Sequence, residues 1–277
     1  MKDRVLVVVV TYNSKKHIQW CIEGLNASSL DITIRIVDSG SKDTEYLNSI
    51  KSPHDVEIIK KDNVGFVAGN NLALYTLDDF DWVLFLNPDA RIDAGSFDSL
   101  VSYAASDDNK KIGAFTVPLI RYDIEKKCSL NLFDSVGINC NYFGRWRDIH
   151  SNERTFEMKS TFTEVDAICG AFMLVRMSAL KISVDSTGAP GFERKYYMYK
   201  EDIELSQRII KSGWTIVVYN SVTAFHCRGW SDSRSAVPYW ARWHSAKNDV
   251  DVALKYKWRA LPLAITKYMW VKFLEKK

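Results

Sequence analysis

Short apolar runs, rich in β-branched residues, alternate with segments of helical periodicity over the first 117 residues. Continuous apolar runs of this length are typical of strands that are covered on both faces. The predicted strands are residues 5–10, 32–38, 56–61, 81–89 and 112–117. Helical segments separate most of them, and this alternation predicts a parallel sheet with helices on both faces.

The regular alternation ends after Pro118. Residues 119–160 are polar, aromatic and irregular, which indicates a long insertion rather than sheet. Regular patterns then return as a strand over 165–176, a helix near 201–212, and two strands over 214–220 and 222–227. We expect an α/β domain over residues 1–235, followed by a C-terminal helical extension over 236–277.

The composition is that of a folded protein. The 277 residues are 47% hydrophobic and 26% charged, which supports a sizeable core. The formal net charge of +3 is too small to indicate a nucleic-acid partner. The basic character lies in residues 255–277, which contain seven Lys or Arg and one Glu among several aromatic residues. The five cysteines lack metal-site spacing and no apolar stretch reaches about 18 residues, so we expect a cytoplasmic or membrane-peripheral protein.

Polar and small residues follow four of the predicted strands, at 11–13, 38–41, 63–66 and 87–89. In open parallel sheets, ligands bind beyond the carboxyl ends of the strands. Asn, Asp, Ser and Gly are also ordinary turn formers, so each segment alone has a plain structural explanation. Four such strand ends on one edge of a sheet nevertheless indicate a polar binding cleft.

The chain lacks the glycine-rich loops that bind phosphates in many α/β proteins. A dinucleotide-binding protein carries G-x-G-x-x-G after its first strand and a P-loop carries G-K-[ST], but TYNSKK follows the first strand here. A metal ion could offset phosphate charge instead. Asp89, which follows Asn87-Pro88, is a candidate ligand, since Mg²⁺ and Mn²⁺ bind carboxylates and phosphate oxygens together.

Seven motifs in order resemble those of the family 2 glycosyltransferases, and their spacing fits the rhamnosyltransferase-like members. The motifs are VTYN, VDSGS, NVGFVAGNN, LNPDA, CGAFMLVR, YMYKEDIELSQR and TAFHCRGWS. The resemblance implies a GT-A fold with a mostly parallel central sheet, a nucleotide-diphosphate sugar donor, a divalent metal and inversion at the anomeric carbon. Residues 1–117 would form the nucleotide-binding half, and 118–235 the acceptor and catalytic half.

The resemblance also assigns a set of residues to the nucleotide-sugar donor. They are Thr11, Tyr12, Asn13, Asp38, Asn63, Gly65, Phe66, Asn70, Asn87 and Gly170. Asp38 would accept a hydrogen bond from the base, and Gly170 would lie in the loop beneath the donor sugar. Cys169 is interpreted as a packing residue, because an inverting displacement needs no nucleophile on the enzyme.

The catalytic base implied by the resemblance is Asp202, with Glu201 in support. An acceptor hydroxyl is a poor nucleophile until another group takes its proton during attack. Acidic residues are also favoured at helix N-termini, so the pair has a structural alternative. Glu204 is expected to orient the loop or the acceptor, and Arg208, at i+4, to pair with Glu204.

The metal ligands implied by the resemblance are Asp89 and His226. A histidine that follows a strand is often structural, and this alternative stays open. Arg228 and Arg234 lie close enough to His226 in the chain to neutralise phosphate, or they are ordinary surface charges.

The basic and aromatic segment 255–277 has two interpretations. It could lie on an anionic membrane as an interfacial element. Alternatively, it could be a packing helix or an oligomer contact with a solvated basic face. Membrane contact would suit an acceptor that is carried on a lipid.

The expected activity is transfer of a sugar to a hydroxyl of a growing, lipid-linked bacterial surface polysaccharide such as an O-antigen or a capsule. The resemblance favours dTDP-rhamnose as the donor, with UDP-galactose or another UDP-hexose as the alternative. A sugar nucleotidyltransferase would carry a glycine-rich basic loop where this chain has TYNSKK. A non-catalytic sugar-nucleotide or glycan binder would not need both carboxylate sites.

Overall fold

The computed structural model describes residues 2–228 and 237–275. In these ranges the strands are β1 (Arg4–Thr11), β2 (Asp31–Ser39), β3 (Asp55–Lys61), β4 (Trp82–Leu86), β5 (Ala90–Arg91), β6 (Ile112–Thr116), β7 (Leu119–Asp123), β8 (Cys128–Ser135), β9 (Ile138–Cys140), β10 (Trp146–Asp148), β11 (Phe162–Glu164), β12 (Phe172–Arg176), β13 (Thr215–Tyr219) and β14 (Ala224–His226). The α-helices in the same ranges are α1 (Ile18–Glu23), α2 (Phe66–Leu72), α3 (Ala94–Ala105), α4 (Met177–Ile182), α5 (Glu201–Lys211), α6 (Tyr239–Tyr256) and α7 (Leu261–Leu274).

The central sheet has the strand order β11-β13-β6-β12-β4-β1-β2-β3. β1 pairs in parallel with β2 and β4, and β2 with β3, which confirms the predicted parallel arrangement for the first half of the chain. β12 is antiparallel to both β4 and β6, whereas β13 is parallel to β6. The fold class is therefore the expected α/β class with a mostly parallel sheet.

Both faces of this sheet are covered, which explains the continuous apolar runs. Successive side chains of a strand point to opposite faces. Val7 of β1 belongs to one buried cluster together with Phe97 of α3, and Val8 belongs to a second cluster together with Leu205 of α5. A strand between two such clusters has no position where a polar residue is favoured.

The prediction that residues 119–160 form an irregular insertion was wrong. These residues contain four strands: β7 and β8 form a small sheet with β5 and β14, in the order β5-β14-β7-β8, and β9 pairs with β10. Their apolar pattern is weak because β8 is largely exposed along its first half and buried only at its end. The pairing of β7 with β8 also shifts register twice.

The predicted C-terminal helices are confirmed as α6 and α7. α6 packs on the preceding domain: Val252 lies in a core cluster, and the Asn248 side chain donates hydrogen bonds to the carbonyl oxygens of Met198 and Tyr199. The domain boundary at residue 235 stays a prediction. No helix in the described part of the chain is both long and apolar enough to cross a membrane.

Candidate active site

The carboxyl ends of the parallel strands border a cleft of about 820 Å³. Its lining includes the predicted site residues Tyr12, Asn13, Asn63, Gly65, Phe66, Asn87 and Asp89. The four polar segments that follow the strands were predicted to border a binding cleft. All four contribute residues to this cavity.

Thr11 and Asp38 are buried and lie outside the lining of this cleft. Thr11 Oγ1 lies 3.1 Å from the hydroxyl oxygen of Tyr46. Asp38 Oδ2 accepts a hydrogen bond from the Ser41 backbone N–H at 3.1 Å, whereas its Oδ1 has no hydrogen-bond partner within residues 2–228 and 237–275. A buried acceptor without a partner is a group that a ligand N–H can satisfy.

Asn63 and Gly65 shape one wall of the cleft. Asn63 Oδ1 accepts hydrogen bonds from the Tyr197 hydroxyl at 2.7 Å and from the Gly65 N–H at 3.2 Å. Gly65 has a φ of +85°, and a Cβ at this position would lie 2.5 Å from the Tyr197 ring. Only glycine fits here without strain. Asn70 is buried, and its side chain donates to the carbonyl oxygen of Phe66, so it supports α2 rather than lining the cleft.

Backbone pairing places Asp89 beside His226. β14 is antiparallel to β5 with His226 opposite Ala90, and the Cys227 N–H donates to the Asp89 carbonyl oxygen at 2.9 Å. As a result, His226 Nε2 lies 3.4 Å from Asp89 Oδ1. The structure thus brings together the two residues that were predicted to share a metal.

Asp134, at the buried end of β8, is a site residue that the sequence analysis missed. Its Oδ2 accepts a hydrogen bond from His226 Nδ1 at 2.8 Å, and its Oδ1 accepts one from Arg228 Nη1 at 2.6 Å. Arg121 Nε lies 3.5 Å from the same Oδ1. Asp134 belongs to none of the seven motifs, so no sequence signal distinguished it from an ordinary polar residue.

The charges of this cluster are mutually stabilising. Burial lowers the pKa of His226, but its contacts with Asp134 and Asp89 outweigh burial and raise that pKa to about 9. Burial raises the pKa of Asp134, but His226 and Arg228 outweigh it and lower that pKa to about 2. For Asp89, too, His226 outweighs burial and lowers the pKa. An imidazolium between two carboxylates is therefore the stable form of the free protein near neutral pH.

Asp89 and His226, the latter after loss of its Nε2 proton to solvent, fit a divalent cation if a ligand supplies further oxygen atoms. Within 2–228 and 237–275, no three His, Cys, Asp or Glu side chains are grouped so that they could hold a metal alone. This suits Mg²⁺ or Mn²⁺, which one or two carboxylates commonly hold together with substrate phosphates. Asp134 engages Nδ1 of His226 and leaves Nε2 directed at Asp89, as a carboxylate does when it orients a metal-binding histidine.

Asp202 is connected to the turn after β4 through the backbone at residues 170–171. The Asn87 N–H donates to the Ala171 carbonyl oxygen at 3.0 Å, and the Gly170 N–H donates to Asp202 Oδ2 at 3.1 Å. The Ile203 N–H donates to Asp202 Oδ1 at 2.8 Å. Gly170 allows this approach, because a Cβ there would lie only 3.2 Å from Asp202 Cβ.

Burial raises the pKa of both members of the Glu201–Asp202 pair. The charge of Asp202 adds to the effect of burial on the pKa of Glu201, and Glu201 Oε2 has no hydrogen-bond partner among the described residues. For Asp202, the Lys200 charge and the backbone N–H donors oppose the effect of burial. Burial and the neighbouring carboxylate therefore both favour the protonated form of Glu201.

Glu204 contacts Arg208 and Tyr256, and not the loop or the acceptor as predicted. It is buried, and its Oε2 accepts a hydrogen bond from Arg208 Nη2 at 2.8 Å, which confirms the predicted i+4 ion pair. The Tyr256 hydroxyl donates to Glu204 Oε1 at 2.8 Å and ties α6 to α5. Arg228 contacts Asp134, and Arg234 lies outside the described residues.

An aromatic wall on the α6 side of the cleft was also missed. The rings of Tyr197 and His244 stack with their centroids 5.2 Å apart, and the Trp240 ring lies 6.5 Å from that of His244. Tyr197 belongs to a recognised motif, but the α6 residues belong to none. Only tertiary packing brings them to the cleft.

Comparison with known proteins identifies the chain. The sequence profile of the family described as Glycosyl transferase family 2 matches residues 6–182. The chain belongs to this family. The glycosyltransferase is 28% identical over 249 residues to "Rhamnosyltransferase WbbL" of Escherichia coli (strain K12), across 87% of this chain and 89% of that protein. It is 26% identical over 267 residues to the "N-acetylglucosaminyl-diphospho-decaprenol L-rhamnosyltransferase" of Mycobacterium tuberculosis, across 89% of this chain and 83% of that protein.

Solved structures confirm the predicted GT-A fold of this glycosyltransferase. The mannosyltransferase PcManGT from Pyrobaculum calidifontis, in complex with GDP-Man and Mn²⁺, matches with a TM-score of 0.59 at 15% identity, over 99% of this chain and 71% of that one. GalNAc-T7, with UDP, GalNAc and Mn²⁺, matches with a TM-score of 0.63 at 11% identity, over 91% of this chain and 48% of that one. At these identities the likeness shows the fold alone.

Proposed function

We propose that this glycosyltransferase moves a sugar from a nucleoside-diphosphate donor to a hydroxyl of a lipid-linked bacterial surface polysaccharide, at the cytoplasmic face of the membrane and with inversion at the anomeric carbon. Rhamnose is favoured, since both curated relatives are named as rhamnosyltransferases. The name of the mycobacterial relative includes a diphospho-decaprenol carrier, which supports a lipid-linked acceptor here.

The proposal depends most on the hydrogen bonds that connect the two carboxylate sites. The turn at 87–89 lines the cleft, and the backbone at 170–171 joins this turn to Asp202. Two hydrogen bonds through residues 170–171 therefore link the turn that carries Asp89 to Asp202. An inverting displacement uses two such sites: one faces the leaving group and the other faces the incoming hydroxyl.

In the proposed reaction, Asp202 accepts the proton of the acceptor hydroxyl while the hydroxyl oxygen forms a bond to the anomeric carbon. The bond from that carbon to the diphosphate oxygen breaks on the opposite face, and its electron pair leaves with the diphosphate. Burial raises the pKa of Asp202, which makes it a stronger base than an exposed aspartate. Burial and the Asp202 charge raise the pKa of Glu201, which disfavours a second negative charge beside Asp202.

The residues on the donor side bind and orient the diphosphate. Asp89 and His226 would hold a divalent cation, which supplies positive charge for the departing diphosphate when it is bound. The Mn²⁺ in the PcManGT and GalNAc-T7 structures supports such a cation. Tyr12, Asn13 and the unpaired Oδ1 of Asp38 are proposed to contact the nucleoside. Thr11 and Asn70 support this site through packing.

Release of nucleoside diphosphate tests the proposal. The protein is incubated with Mn²⁺, a diphospholipid-linked glycan acceptor, and either dTDP-rhamnose or a UDP-hexose. We expect release with dTDP-rhamnose, and Asp89→Asn should lower the rate at least about a hundredfold. Asp93→Asn, at an exposed position close by in the chain, is the matched control and should retain the rate.

Two other results would overturn parts of the proposal. Release of diphosphate from a UDP-hexose but not from dTDP-rhamnose would show that the donor is a UDP-hexose. Tight binding of a nucleotide sugar without release of diphosphate, under any of these conditions, would instead indicate a non-catalytic binding protein.

A further inference from the structure

We propose that one apolar surface at the C-terminal end of the structure docks on an anionic lipid bilayer. This surface, called the docking face below, consists of Tyr142, Phe143, Trp258, Leu263, Trp270 and Phe273. It combines the outer side of α7 with the turn before α7 and with the loop between β9 and β10.

The outer side of α7 is apolar although it faces solvent. Ala264 and Val271, one heptad apart, are the buried positions of this helix. Leu263, Trp270 and Phe273 lie on the opposite arc and are 51%, 56% and 62% exposed. The protein covers the side of α7 that carries Ala264 and Val271 and leaves these three large apolar side chains open to a partner. Clustered exposed apolar residues of this kind are typical of interaction surfaces.

The loop between β9 and β10 continues this apolar arc. A Cβ at Gly144 would overlap Ala260, which shows that the loop packs directly against the turn that leads into α7. At this junction Tyr142, Phe143 and Trp258 are each at least 70% exposed. The Tyr142 and Phe143 rings lie 5.6 Å apart, and Tyr142 lines one groove with Trp258, so exposed rings cluster beside the N-terminal end of α7. Exposed apolar clusters of this kind mark interaction sites.

The charges around the docking face favour an anionic partner. Arg259 and Lys272 are exposed cations on these elements, and Arg259 lies 5.6 Å from the Tyr142 ring. The one carboxylate in the described part of 258–277, Glu275, lies 3.2 Å from Arg242 Nε and is largely buried. Aromatic and aliphatic side chains flanked by Lys and Arg are characteristic of elements that lie in the interface of an anionic membrane.

A groove beside the docking face offers a place for a lipid headgroup. Its volume is about 360 Å³, and its lining includes Lys257, Arg259 and Tyr142. α7 has 14 residues and is roughly 21 Å long, so it can lie in the plane of the interface but cannot cross the bilayer. The inference rests on the proposed function in one respect: docking would bring the cleft to an acceptor that is carried in the bilayer.

Co-flotation of the full-length protein with vesicles tests the inference directly. We expect at least about tenfold stronger binding to vesicles of phosphatidylcholine with phosphatidylglycerol than to phosphatidylcholine alone, and release by high salt. Trp270→Ala combined with Phe273→Ala should weaken binding at least about tenfold. Ile182→Ala, at an exposed apolar position on α4, is the matched control and should bind like the wild type.

A second variant reverses the charge at two positions and keeps the apolar residues of the docking face. Arg259→Glu combined with Lys272→Glu should abolish the preference for anionic vesicles while the thermal unfolding midpoint stays unchanged. Equal vesicle binding by the wild type and both double variants would overturn the inference. So would a concentration-dependent dimer that Trp270→Ala with Phe273→Ala dissociates, because the partner would then be a second copy of the chain.

The test separates this inference from the proposed function. Vesicle binding is measured without donor or acceptor, so it can fail while release of nucleoside diphosphate is normal. In contrast, a protein that binds vesicles but releases no diphosphate retains the docking face and contradicts only the proposed transfer.

Discussion

Replacing Asp134 by asparagine should destabilise the metal-free protein in a manner that depends on pH. The variant keeps the size of the side chain and one acceptor for His226 Nδ1, but it removes the negative charge. In the native protein that charge lies 2.8 Å from His226 Nδ1 and 2.6 Å from Arg228 Nη1. The variant therefore leaves a buried imidazolium with Asp89 as its remaining carboxylate contact.

The expected magnitude follows from the raised pKa of His226. A shift from 6.5 to about 9 in a nearly buried group corresponds to roughly 3 kcal/mol of stability. Because the folded pKa is the higher one, this contribution is fully present below pH 6.5 and is lost as the pH rises through 9. The pKa of Asp134 is lowered from 3.8 to about 2, so its contribution is present above 3.8 and is lost as the pH falls through 2.

The assay is urea unfolding with a chelator present at pH 6, 7.5 and 9.5. We expect Asp134→Asn to cost about 2–3 kcal/mol at pH 6 and clearly less at pH 9.5, and to lower the His226 pKa in an NMR titration. Asp78→Asn is the control, since Asp78 pairs with Lys181 at an exposed site and should have little effect on stability at any of the three pH values. An equal cost of Asp134→Asn at all three pH values would show that Asp134 does not stabilise the charged form of His226.

Three further predictions concern other parts of the site. Glu204→Gln should destabilise the protein by about 3 kcal/mol in urea unfolding, because it leaves the buried Arg208 without its carboxylate; a cost below about 1 kcal/mol would show that this ion pair is unimportant. Gly65→Ala should weaken donor binding at least about tenfold by calorimetry, since its Cβ would overlap the Tyr197 ring at a φ of +85°; unchanged affinity would contradict this account of the cleft wall. Cys169→Ala should retain most of the transfer rate, because burial raises the thiol pKa well above its ordinary value and a displacement with inversion needs no enzyme nucleophile; loss of all turnover would indicate a chemical role.

The first half of the fold was predictable because its local and tertiary signals agree. β1 is buried on both faces, so every position from Val5 to Val10 is apolar, and the polar residues begin where the strand ends. The same reasoning located the edge that carries Tyr12, Asn63 and Asp89. The family resemblance then supplied Asp202 and His226 as further candidates, with proposed roles that no periodicity could have indicated.

The remaining parts of the site depend on contacts between distant segments. Asp134 gains its role only because β8 and β14 flank β7 in one small sheet, which places its carboxylate on His226. β8 is largely exposed along its first half and buried only at its end, so its apolar pattern is too weak to predict a strand. Trp240 and His244 face the cleft because α6 packs back on the domain, and their own sequence resembles that of any helix with aromatic residues.

In the proposed mechanism, every turnover depends on Asp202 taking the proton of the acceptor hydroxyl. The most direct test is the single-turnover rate of nucleoside-diphosphate release by Asp202→Asn, with donor affinity measured on the same preparation. We predict a rate at least about a thousandfold below that of the wild type, with donor affinity within about threefold. A rate within tenfold of the wild type, at normal donor affinity, would contradict the assignment of Asp202 as the base.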